Sequence, residues 1–514
     1  MVKLLKNIIK LITHRIFLIP LLMIAQIALI FLIVLDYKEY IVHFYLISSV
    51  ISILMTLYII NGKSNPSYKI AWIIPVMGLP IFGVILYFIF GMNKVSEKEK
   101  EKLKKIYYKS KENLDKNLIL EELKYESIVA LGQAIYITEY SPTTVCKHTK
   151  TTYLKNGEEY YNYLIKALKN AKKYIFLEYF IISKGYMWTN ILNILKEKIK
   201  EGVEVRIIYD DFGCITTLPN HYDKKLEKQG IKVAIFNKLI PTLRSRFNNR
   251  DHRKIAVIDG YIAFTGGINL ADEYMNKKVR FGYWKDNGIM LEGEAAWNFT
   301  VMFLSMWDYI KNETTDYKLY KPDHDLIYQT KTDGYIIPYN DSPWDNEAVG
   351  ETIYLNLINK SNRYVYITTP YLIIDNEMIT ALITAAKRGV DVRIITPGIP
   401  DKKTVNEVTK AYYDQLIEGG IKIYEFTKGF IHAKTFVVDD EYSVVGTVNL
   451  DYRSLYLHFE CGVWMYHSHT INQIKQDIEN TLKKSKQIKL KKRQKLSFLD
   501  SLKRQILKAF APLM

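Results

Sequence analysis

The residues of this chain best suited to chemistry occur twice, as histidine, lysine and aspartate in the order H-x-K-x4-D, followed by an asparagine. They are His252, Lys254, Asp259 and Asn269 in the first copy, and His432, Lys434, Asp439 and Asn449 in the second. Side chains alternate along a strand, so the His and Lys of each copy would lie on one face. The paired motifs predict one site built from two half-sites. One imidazole could attack phosphorus while the other acts as an acid, and two lysines could hold the phosphate oxygens.

Each of these residue types also has an ordinary structural interpretation. A buried lysine on an apolar strand is costly unless it is paired or functional, and Lys254 and Lys434 occur in such strands, which favours a role in the site. Asp259 and Asp439 are each followed by residues that suit a turn, so they could simply cap turns. The two asparagines could be turn residues as well. The histidines are the strongest candidates, because only these two recur in the repeated context.

The sequence argues against a metal site or a bound cofactor. Protonated lysine is a poor metal ligand, and imidazole with ammonium supplies the chemistry that a metal would bring. His467 and His469 have no carboxylate or cysteine cluster beside them, which favours a solvated loop over a metal site. The three cysteines show no paired spacing, which excludes a disulfide scaffold and a cysteine-based zinc site.

The segments around the two motifs repeat as well. Residues 174–180 resemble 364–371, and residues 202–208 resemble 389–395. Strands alternate with helices in each half, which predicts two pseudo-repeated α/β lobes with largely parallel sheets. The first lobe has a longer loop within 237–251. Its three arginines, which either gather an anionic substrate or form a basic surface, are Arg244, Arg246 and Arg250.

The overall charge indicates an anionic partner. The chain has 514 residues, a formal net charge of +17 and a pI of about 9.2. A charge of this size and sign is typical of proteins that meet lipid headgroups or nucleic acid.

Apolar runs at 16–35, 41–60 and 70–90 predict membrane spans near the N-terminus. Proline and glycine interrupt the third run, so it is either a kinked full span or a re-entrant segment. Lysines before the first run predict a cytoplasmic N-terminus. We prefer two full spans, which would leave the catalytic part on the cytoplasmic side of a multi-pass protein of the cell membrane.

Composition then divides the chain into five regions. They are a transmembrane region (1–91), a charged helical connector (92–140), a first lobe (141–330), a second lobe (331–480) and a basic amphipathic tail (481–514). The tail combines a lysine-rich run with apolar residues at near-helical spacing, which is typical of membrane-surface binding. The alternatives are a disordered tail and a helix that packs on the adjoining lobe.

The repeated motifs resemble those of the phospholipase D superfamily. The resemblance includes the continuations GGxN and GTxN after the two motifs, and the run Asn449-Leu-Asp451-Tyr-Arg453-Ser454. The apolar N-terminus, the run Pro80-Ile-Phe-Gly83 and the sequence around the first motif are similar to those of bacterial cardiolipin synthases. The resemblance covers almost the whole chain.

The resemblance implies two phospholipase D-like lobes that form one site at their interface. It implies transfer of a phosphatidyl group from one phosphatidylglycerol to another, giving cardiolipin and glycerol through a phosphatidyl-histidine. His252 would be the nucleophile and His432 the acid and base. The two aspartates would orient the imidazoles or support the site, and the two asparagines would donate to phosphate oxygens. Glu178 resembles a carboxylate beside the family site but could equally be a buried structural partner. The expected partners are phosphatidylglycerol and anionic membrane lipids, without nucleic acid.

Other activities of the same half-sites remain open. A phosphatidylserine synthase or a hydrolytic phospholipase D would use another acceptor, a nuclease would hold nucleic acid on the basic surface, and a tether would have no activity. Two positions also depart from the family pattern. Asn287 and Gly288 follow Trp284-Lys285-Asp286 where the family often has a nearby histidine, and His458 stands before Glu460 where asparagine is common.

Overall fold

The computed structural model describes residues 38–91, 97–115, 119–238, 249–345, 347–490 and 498–513, with Ile24 and Ala28. Apart from these two residues, the predicted first span at 16–35 lies outside the described residues, as do Arg244 and Arg246. The chain forms two compact units. One unit contains the N-terminal helices and the other contains both motifs.

The N-terminal unit contains one helix that could cross a membrane, as far as the described residues show. This helix, α1 (Ile41–Asn61), includes the apolar stretch Val42–Asn61 of 20 residues and corresponds to the predicted span at 41–60. The run at 70–90 is divided at Leu79 between α2 (Pro66–Gly78) and α3 (Pro80–Leu86). Pro80 has no N–H to continue the first helix, so the chain turns there. The multi-pass topology stays a prediction.

The second unit opens with three helices in the predicted connector, α4 (Glu97–Glu112), α5 (Ile119–Glu126) and α6 (Ile128–Tyr140). The first lobe follows. Its elements are β1 (Thr149–Leu154), α7 (Gly157–Lys169), β2 (Tyr174–Tyr179), α8 (Tyr186–Lys200), β3 (Glu204–Asp210), α9 (Asp211–Cys214), α10 (Tyr222–Glu227), β4 (Lys232–Phe236), β5 (Arg250–Asp251), β6 (Lys254–Ile258), β7 (Ile262–Gly266), β8 (Tyr283–Lys285), β9 (Gly288–Gly293), α11 (Glu294–Lys311) and α12 (His324–Tyr328).

The second lobe repeats this plan. Its elements are β10 (Tyr335–Asp341), α13 (Val349–Lys360), β11 (Tyr364–Thr368), β12 (Leu372–Ile373), α14 (Asn376–Lys387), β13 (Asp391–Pro397), α15 (Lys403–Glu418), β14 (Lys422–Phe426), β15 (Gly429–Ile431), β16 (Thr435–Val438), β17 (Tyr442–Gly446), β18 (Leu450–Asp451), α16 (Tyr452–Tyr456), β19 (His458–Tyr466), α17 (Thr470–Leu482) and β20 (Ser485–Gln487). In the tail region, helix α18 covers Phe498–Ala509.

Each lobe is built on a mixed sheet. The first sheet has seven strands in the order β1-β9-β7-β6-β2-β3-β4. Only β2, β3 and β4 run parallel, while β6, β7, β9 and β1 pair antiparallel. Our prediction of a largely parallel sheet is therefore wrong, because four of the seven strands pair antiparallel. The motif strand β6 returns through a tight turn at Asp259-Gly260, and a tight turn joins only antiparallel strands.

The second sheet has the same strand plan, which confirms the internal repeat. Its order is β10-β19-β17-β16-β11-β13-β14-β20, so that β11, β13 and β14 correspond to β2, β3 and β4. Two short parallel pairs connect the lobes: β5 pairs with β19, and β8 pairs with β15. Helix α11 is buried over most of its length and packs on strands of both sheets.

Strand direction places both motifs at equivalent edges. Strands β2 and β3 end where β6 begins, and β11 and β13 end where β16 begins. Each His-x-Lys pair therefore lies at the carboxyl end of the parallel strands, where loops can form a site.

Candidate active site

The two motif histidines are buried, and each is held by a carboxylate of the other lobe. The Nδ1 atom of His252 lies 2.9 and 3.0 Å from the two carboxylate oxygens of Glu460. The Nδ1 atom of His432 lies 2.7 Å from Oδ2 of Asp286. His252 and Asp286 belong to the first lobe, whereas His432 and Glu460 belong to the second. The site is therefore reciprocal, since neither lobe alone contains an imidazole together with the carboxylate that orients it.

Main-chain hydrogen bonds repeat this exchange. The backbone N–H of His252 donates to the carbonyl of Phe459 at 2.9 Å, and that of His432 donates to the carbonyl of Lys285 at 2.7 Å. Both acceptors immediately precede the orienting carboxylates in sequence. One short segment in each lobe thus fixes both the backbone and the ring of the opposite histidine.

The carboxylates are themselves positioned by the motif continuations. Asp286 accepts the backbone N–H of Asn287 at 2.9 Å, and a Cβ at Gly267 would clash with its carboxylate. The glycine in the first continuation is therefore required by this close approach. The second continuation has Thr447 at the equivalent position, and its hydroxyl donates to Glu460. Although burial raises the pKa of Asp286, the interaction with His432 holds that pKa below its ordinary value.

The surroundings of both imidazoles favour their neutral forms. Burial, with Lys254 and Lys434 nearby, holds the pKa of His252 well below its usual value. Burial and Lys434 lower the pKa of His432 to about 4, although Asp286 acts in the opposite direction. Because each Nδ1 faces a carboxylate, the ring proton resides there and each Nε2 carries a free lone pair. In this form one ring could act as a nucleophile, and its partner could carry a proton once an anion is bound.

The two lysines are buried beside the histidines. Lys254 Nζ donates to the carbonyl of His252 at 2.5 Å, and Lys434 Nζ donates to the carbonyl of His432. Burial lowers the pKa of Lys254 to about 8 and that of Lys434 to about 7. Both lysines therefore lose protons easily when no anion is bound, and a bound anion would stabilise their protonated forms.

We expect replacement of Lys254 or Lys434 by methionine to lower kcat by about 10²-fold. Methionine fills similar volume but removes a positive charge that would stabilise the transferring phosphoryl group. Steady-state kinetics on phospholipid micelles would measure the effect, with Lys387→Met on an exposed part of α14 as the matched control. Near-normal turnover in either lysine variant would place that lysine outside the reaction.

We also expect kcat/KM to fall as the pH rises through about 7 to 8, because Lys434 and Lys254 lose their protons in that interval. Both pKa values are lowered, so the required charge is present below this interval and lost above it. A pH profile for wild type and Lys434→Arg would test the assignment. The guanidinium stays protonated, so the residual activity of the arginine variant should decline at higher pH. A decline at the same pH in both proteins would contradict it.

The two asparagines differ in their contacts. Asn269 accepts the backbone N–H of Ile181 at 3.0 Å and donates to the hydroxyl of Tyr274 at 2.7 Å. The Tyr274 ring lies 5.5 Å from that of His432, so Asn269 holds the surroundings of the second half-site. Asn449 is buried, and its Oδ1 has no hydrogen-bond partner among the described residues. Phosphate binding by these side chains stays a prediction.

Asp259 and Asp439 lie at turns, away from the imidazole hydrogen bonds. Asp259 accepts three backbone N–H groups of residues 172–174, and Asp439 accepts three of residues 362–364. Both have positive φ, at 53° and 56°. The structure places them as turn-capping acceptors at the start of β2 and β11. The orienting role that the resemblance implied for them is taken by Asp286 and Glu460.

Glu178 is the buried structural partner that the sequence allowed. It forms a 2.5 Å ion pair with Arg253, whose Nε also contacts Asp251 at 2.9 Å. All three are almost fully buried, and Glu178 lies on β2, which pairs with the first motif strand β6. Arg253 lies between the two motif residues His252 and Lys254, so this cluster fixes the strand that presents them.

One group of side chains has ligand atoms close enough for a metal ion, as far as the described residues show. His252, His458 and Glu460 offer atoms within 4.8 Å of one another. The chemistry fits a cation poorly. Arg453 donates to Nε2 of His458 at 3.3 Å, which leaves the proton of the neutral ring on Nδ1. The charges of Lys254 and Lys434 would also repel a cation.

Sequence reasoning missed four residues that surround the histidines. They are Trp284, Asp286, His458 and Glu460. The rings of Trp284 and His432 lie 5.5 Å apart, and so do those of His458 and His252. The register shows that the two segments are equivalent, since Gly266 pairs with Gly288 and Gly446 pairs with Gly462. The sequence did contain a signal for these residues. Trp284-Lys285-Asp286 precedes Gly288 by the same spacing as His458-Phe459-Glu460 precedes Gly462, so the two segments occupy equivalent positions in the repeat.

Comparison with known proteins gives two family matches. The family described as cardiolipin synthase, PLD-like domain, matches residues 164–307 and 354–482. These two segments fall in the two lobes. The family described as phospholipase D-nuclease N-terminal matches residues 50–91.

Similar proteins span most of the chain. An uncharacterized protein of Streptococcus mutans is 45% identical over 89% of this chain and 99% of its own length. Cardiolipin synthase 2 of Bacillus cereus is 33% identical over 82% of both chains. Cardiolipin synthase of Geobacillus kaustophilus is 32% identical over 91% of this chain and 92% of its own length.

Among solved structures, the phosphatidylserine synthase of Haemophilus influenzae aligns with a TM-score of 0.53 and 15% identity. The alignment covers 71% of this chain and 95% of that one. At this identity the likeness shows a shared fold.

Proposed function

This chain belongs to the cardiolipin synthase family with PLD-like domains, and we propose that it transfers a phosphatidyl group from one phosphatidylglycerol to another, forming cardiolipin and glycerol. Its cardiolipin synthase relatives imply a phosphatidyltransferase that acts on phospholipids. The observation that carries the finer proposal is the reciprocal site, in which two neutral imidazoles are each held by a carboxylate of the opposite lobe, beside two buried lysines.

In the first step, Nε2 of His252 attacks phosphorus and the bond from phosphorus to the glycerol oxygen breaks. His432, protonated on Nε2 when the anionic phosphodiester binds, donates that proton to the departing oxygen, so glycerol leaves neutral and a phosphatidyl-histidine remains. In the second step, the hydroxyl of another phosphatidylglycerol attacks phosphorus while His432 takes its proton. The bond from phosphorus to nitrogen then breaks, which restores both rings.

The site electrostatics support this assignment of roles. In the site without substrate, burial and Lys434 lower the pKa of His432, and Asp286 acts in the opposite direction. The negative charge of a bound phosphodiester would raise the pKa of His432. His252 has its pKa lowered by burial, by both lysines and by a positive charge on His432, which keeps its Nε2 lone pair available.

Phosphodiester exchange needs no nucleotide, because one phosphodiester bond replaces a similar one. The intermediate must nevertheless be protected from water, since hydrolysis would yield phosphatidic acid. Burial of both histidines and both lysines supports such protection.

The reaction is tested by mass spectrometry of lipids after the purified full chain is incubated with phosphatidylglycerol alone. We expect cardiolipin and one equivalent of free glycerol. A parallel incubation with added serine tests the other acceptor. Phosphatidic acid as the main product would identify a hydrolase, and phosphatidylserine would identify a serine-dependent transferase. Either result would overturn the proposed acceptor.

We expect EDTA to leave the initial rate unchanged, because imidazole and ammonium perform the proton transfer and charge stabilisation that a metal would otherwise supply. The assay needs substrate in detergent micelles, so that divalent ions do not alter vesicle packing. Loss of activity with EDTA that one divalent ion restores would contradict the expectation.

We further propose a position in the cell membrane, with the lobes on the cytoplasmic side. The family match at 50–91 and the apolar helix α1 support membrane association. No nucleic acid is needed for this function, and the basic character of the chain suits anionic lipids equally well.

A further inference from the structure

A basic cleft of about 750 Å³ lies in the second unit, outside the hydrogen-bonded catalytic groups. Five of its lining residues are lysines, namely Lys155, Lys285, Lys428, Lys483 and Lys484. Its residues come from both lobes, because Tyr283 and Lys285 belong to β8 whereas Phe426 ends β14. The two H-x-K-x4-D motifs do not include any of these lysines.

The positive charge of the cleft is only partly compensated. Its one acidic residue, Asp477, pairs with Lys285 at 2.6 Å and accepts the hydroxyl of Tyr153 at 2.6 Å. Lys155 pairs with Glu159 at 2.9 Å. Lys428 and Lys484 are exposed, and neither forms an ion pair with a residue in the described ranges. Like charges that line one concave surface focus the potential and favour an anionic ligand.

The size and lining of the cleft indicate more than a single inorganic phosphate. A volume of about 750 Å³ lies in the range of sites for organic ligands. Tyr283 and Phe426 add aromatic walls between the lysines. These features suit a phosphodiester that carries glycerol groups and the start of acyl chains.

We propose that this cleft binds the glycerophosphodiester headgroup of an anionic phospholipid, as a second lipid site separate from the catalytic one. The site does not depend on the proposed transfer reaction, since binding can be measured without turnover. It adjoins the catalytic groups through Lys285. The ammonium of Lys285 faces the cleft residue Asp477, while its carbonyl accepts the N–H of His432 and the next residue holds the His432 ring. A bound headgroup would therefore contact the segment that positions the second half-site.

The test uses the purified full chain in detergent, with His252→Ala as a common background that prevents turnover. Isothermal titration with glycerophosphoglycerol, the soluble headgroup, should show one site at the catalytic lysines and one in the cleft. In Lys428→Ala/Lys484→Ala, affinity for the cleft site should fall by about tenfold or more. The control Lys169→Ala/Lys200→Ala, which removes two exposed lysines of α7 and α8, should retain both sites.

Two further arms distinguish the source of the ligand. Vesicles that contain phosphatidylglycerol should compete with glycerophosphoglycerol for the cleft, and the protein bound to them should be recovered by flotation. Inorganic phosphate should compete only weakly. The proposed cleft site would be rejected if the His252→Ala protein without further substitutions bound glycerophosphoglycerol at a single site. It would also be rejected if the control variant lost as much affinity as Lys428→Ala/Lys484→Ala. Equal affinity for inorganic phosphate, or stronger competition by a short oligonucleotide, would overturn the lipid headgroup as its ligand.

Discussion

Replacement of His252 or His432 by alanine is expected to abolish phosphatidyl transfer, with a loss on the order of 10⁴-fold or more in kcat. In the proposed mechanism each imidazole has a separate task. Nε2 of His252 supplies the electron pair that attacks phosphorus, and His432 moves the proton of the departing and arriving hydroxyl groups. The matched control is His324→Ala, which removes an exposed histidine.

A substrate with a p-nitrophenol leaving group separates the two tasks. Nitrophenolate departs without protonation, so His432→Ala should still release a burst of nitrophenol and accumulate a covalent adduct. His252→Ala should release none. Acid-free digestion and mass spectrometry would then map the adduct to His252. An adduct on His432 would reverse the assignment, and the absence of any adduct in both the wild type and His432→Ala would rule out the covalent route.

The doubled motif was enough to select His252 and His432 as the candidate pair from sequence, because residue type and spacing repeat in the same context. The internal repeat also predicted two equivalent lobes, which the strand orders confirm. Lys254 and Lys434 were selected by an energetic argument, because burying an ammonium group in an apolar strand is costly unless the group is paired or functional.

The matched segments W-x-D and H-x-E were visible in the sequence, but the contacts of their carboxylates could not be found by the same reasoning. Asp286 and Glu460 act on histidines 146 and 208 residues away in sequence, so no local spacing reports the contact. The segments that bring them there are β5, β8 and β15, each of two or three residues. Strands this short have no readable periodicity. Asp259 and Asp439 were more visible in the motif, yet their contacts are to backbone amides at turns.

The relative directions of the strands could also be predicted only in part from the sequence. Helices between successive strands correctly predict the parallel pairs β2–β3 and β11–β13, but they say nothing of the hairpins that carry the motifs. A turn at Asp259 and another at Asp439 reverse the chain, so half of each sheet is antiparallel. The consequence is structural as well, because the reversal brings β9 and β19 beside the motif hairpins, with Asp286 just before β9 and Glu460 within β19.

The second large effect concerns the carboxylates themselves. We expect Glu460→Gln and Asp286→Asn each to lower kcat by about 10³-fold or more, without unfolding the protein. Each carboxylate accepts the Nδ1 proton of the opposite histidine and so leaves Nε2 free to react. An amide of the same shape has no charge and can present its N–H₂ group instead, which would favour the wrong tautomer. The charge-conserving variants Glu460→Asp and Asp286→Glu should retain much more activity.

The p-nitrophenol substrate gives these variants different expected outcomes. Asp286 supports the proton donor, so Asp286→Asn should recover its nitrophenol burst when the leaving group needs no proton. Glu460 supports the nucleophile, so Glu460→Gln should stay slow with either leaving group. Equal recovery in both variants would mean that the two carboxylates do not support different chemical steps. Full activity of Glu460→Gln on phosphatidylglycerol would show that His252 needs no partner from the second lobe. The distinction holds because each lobe supplies the support for a different chemical step.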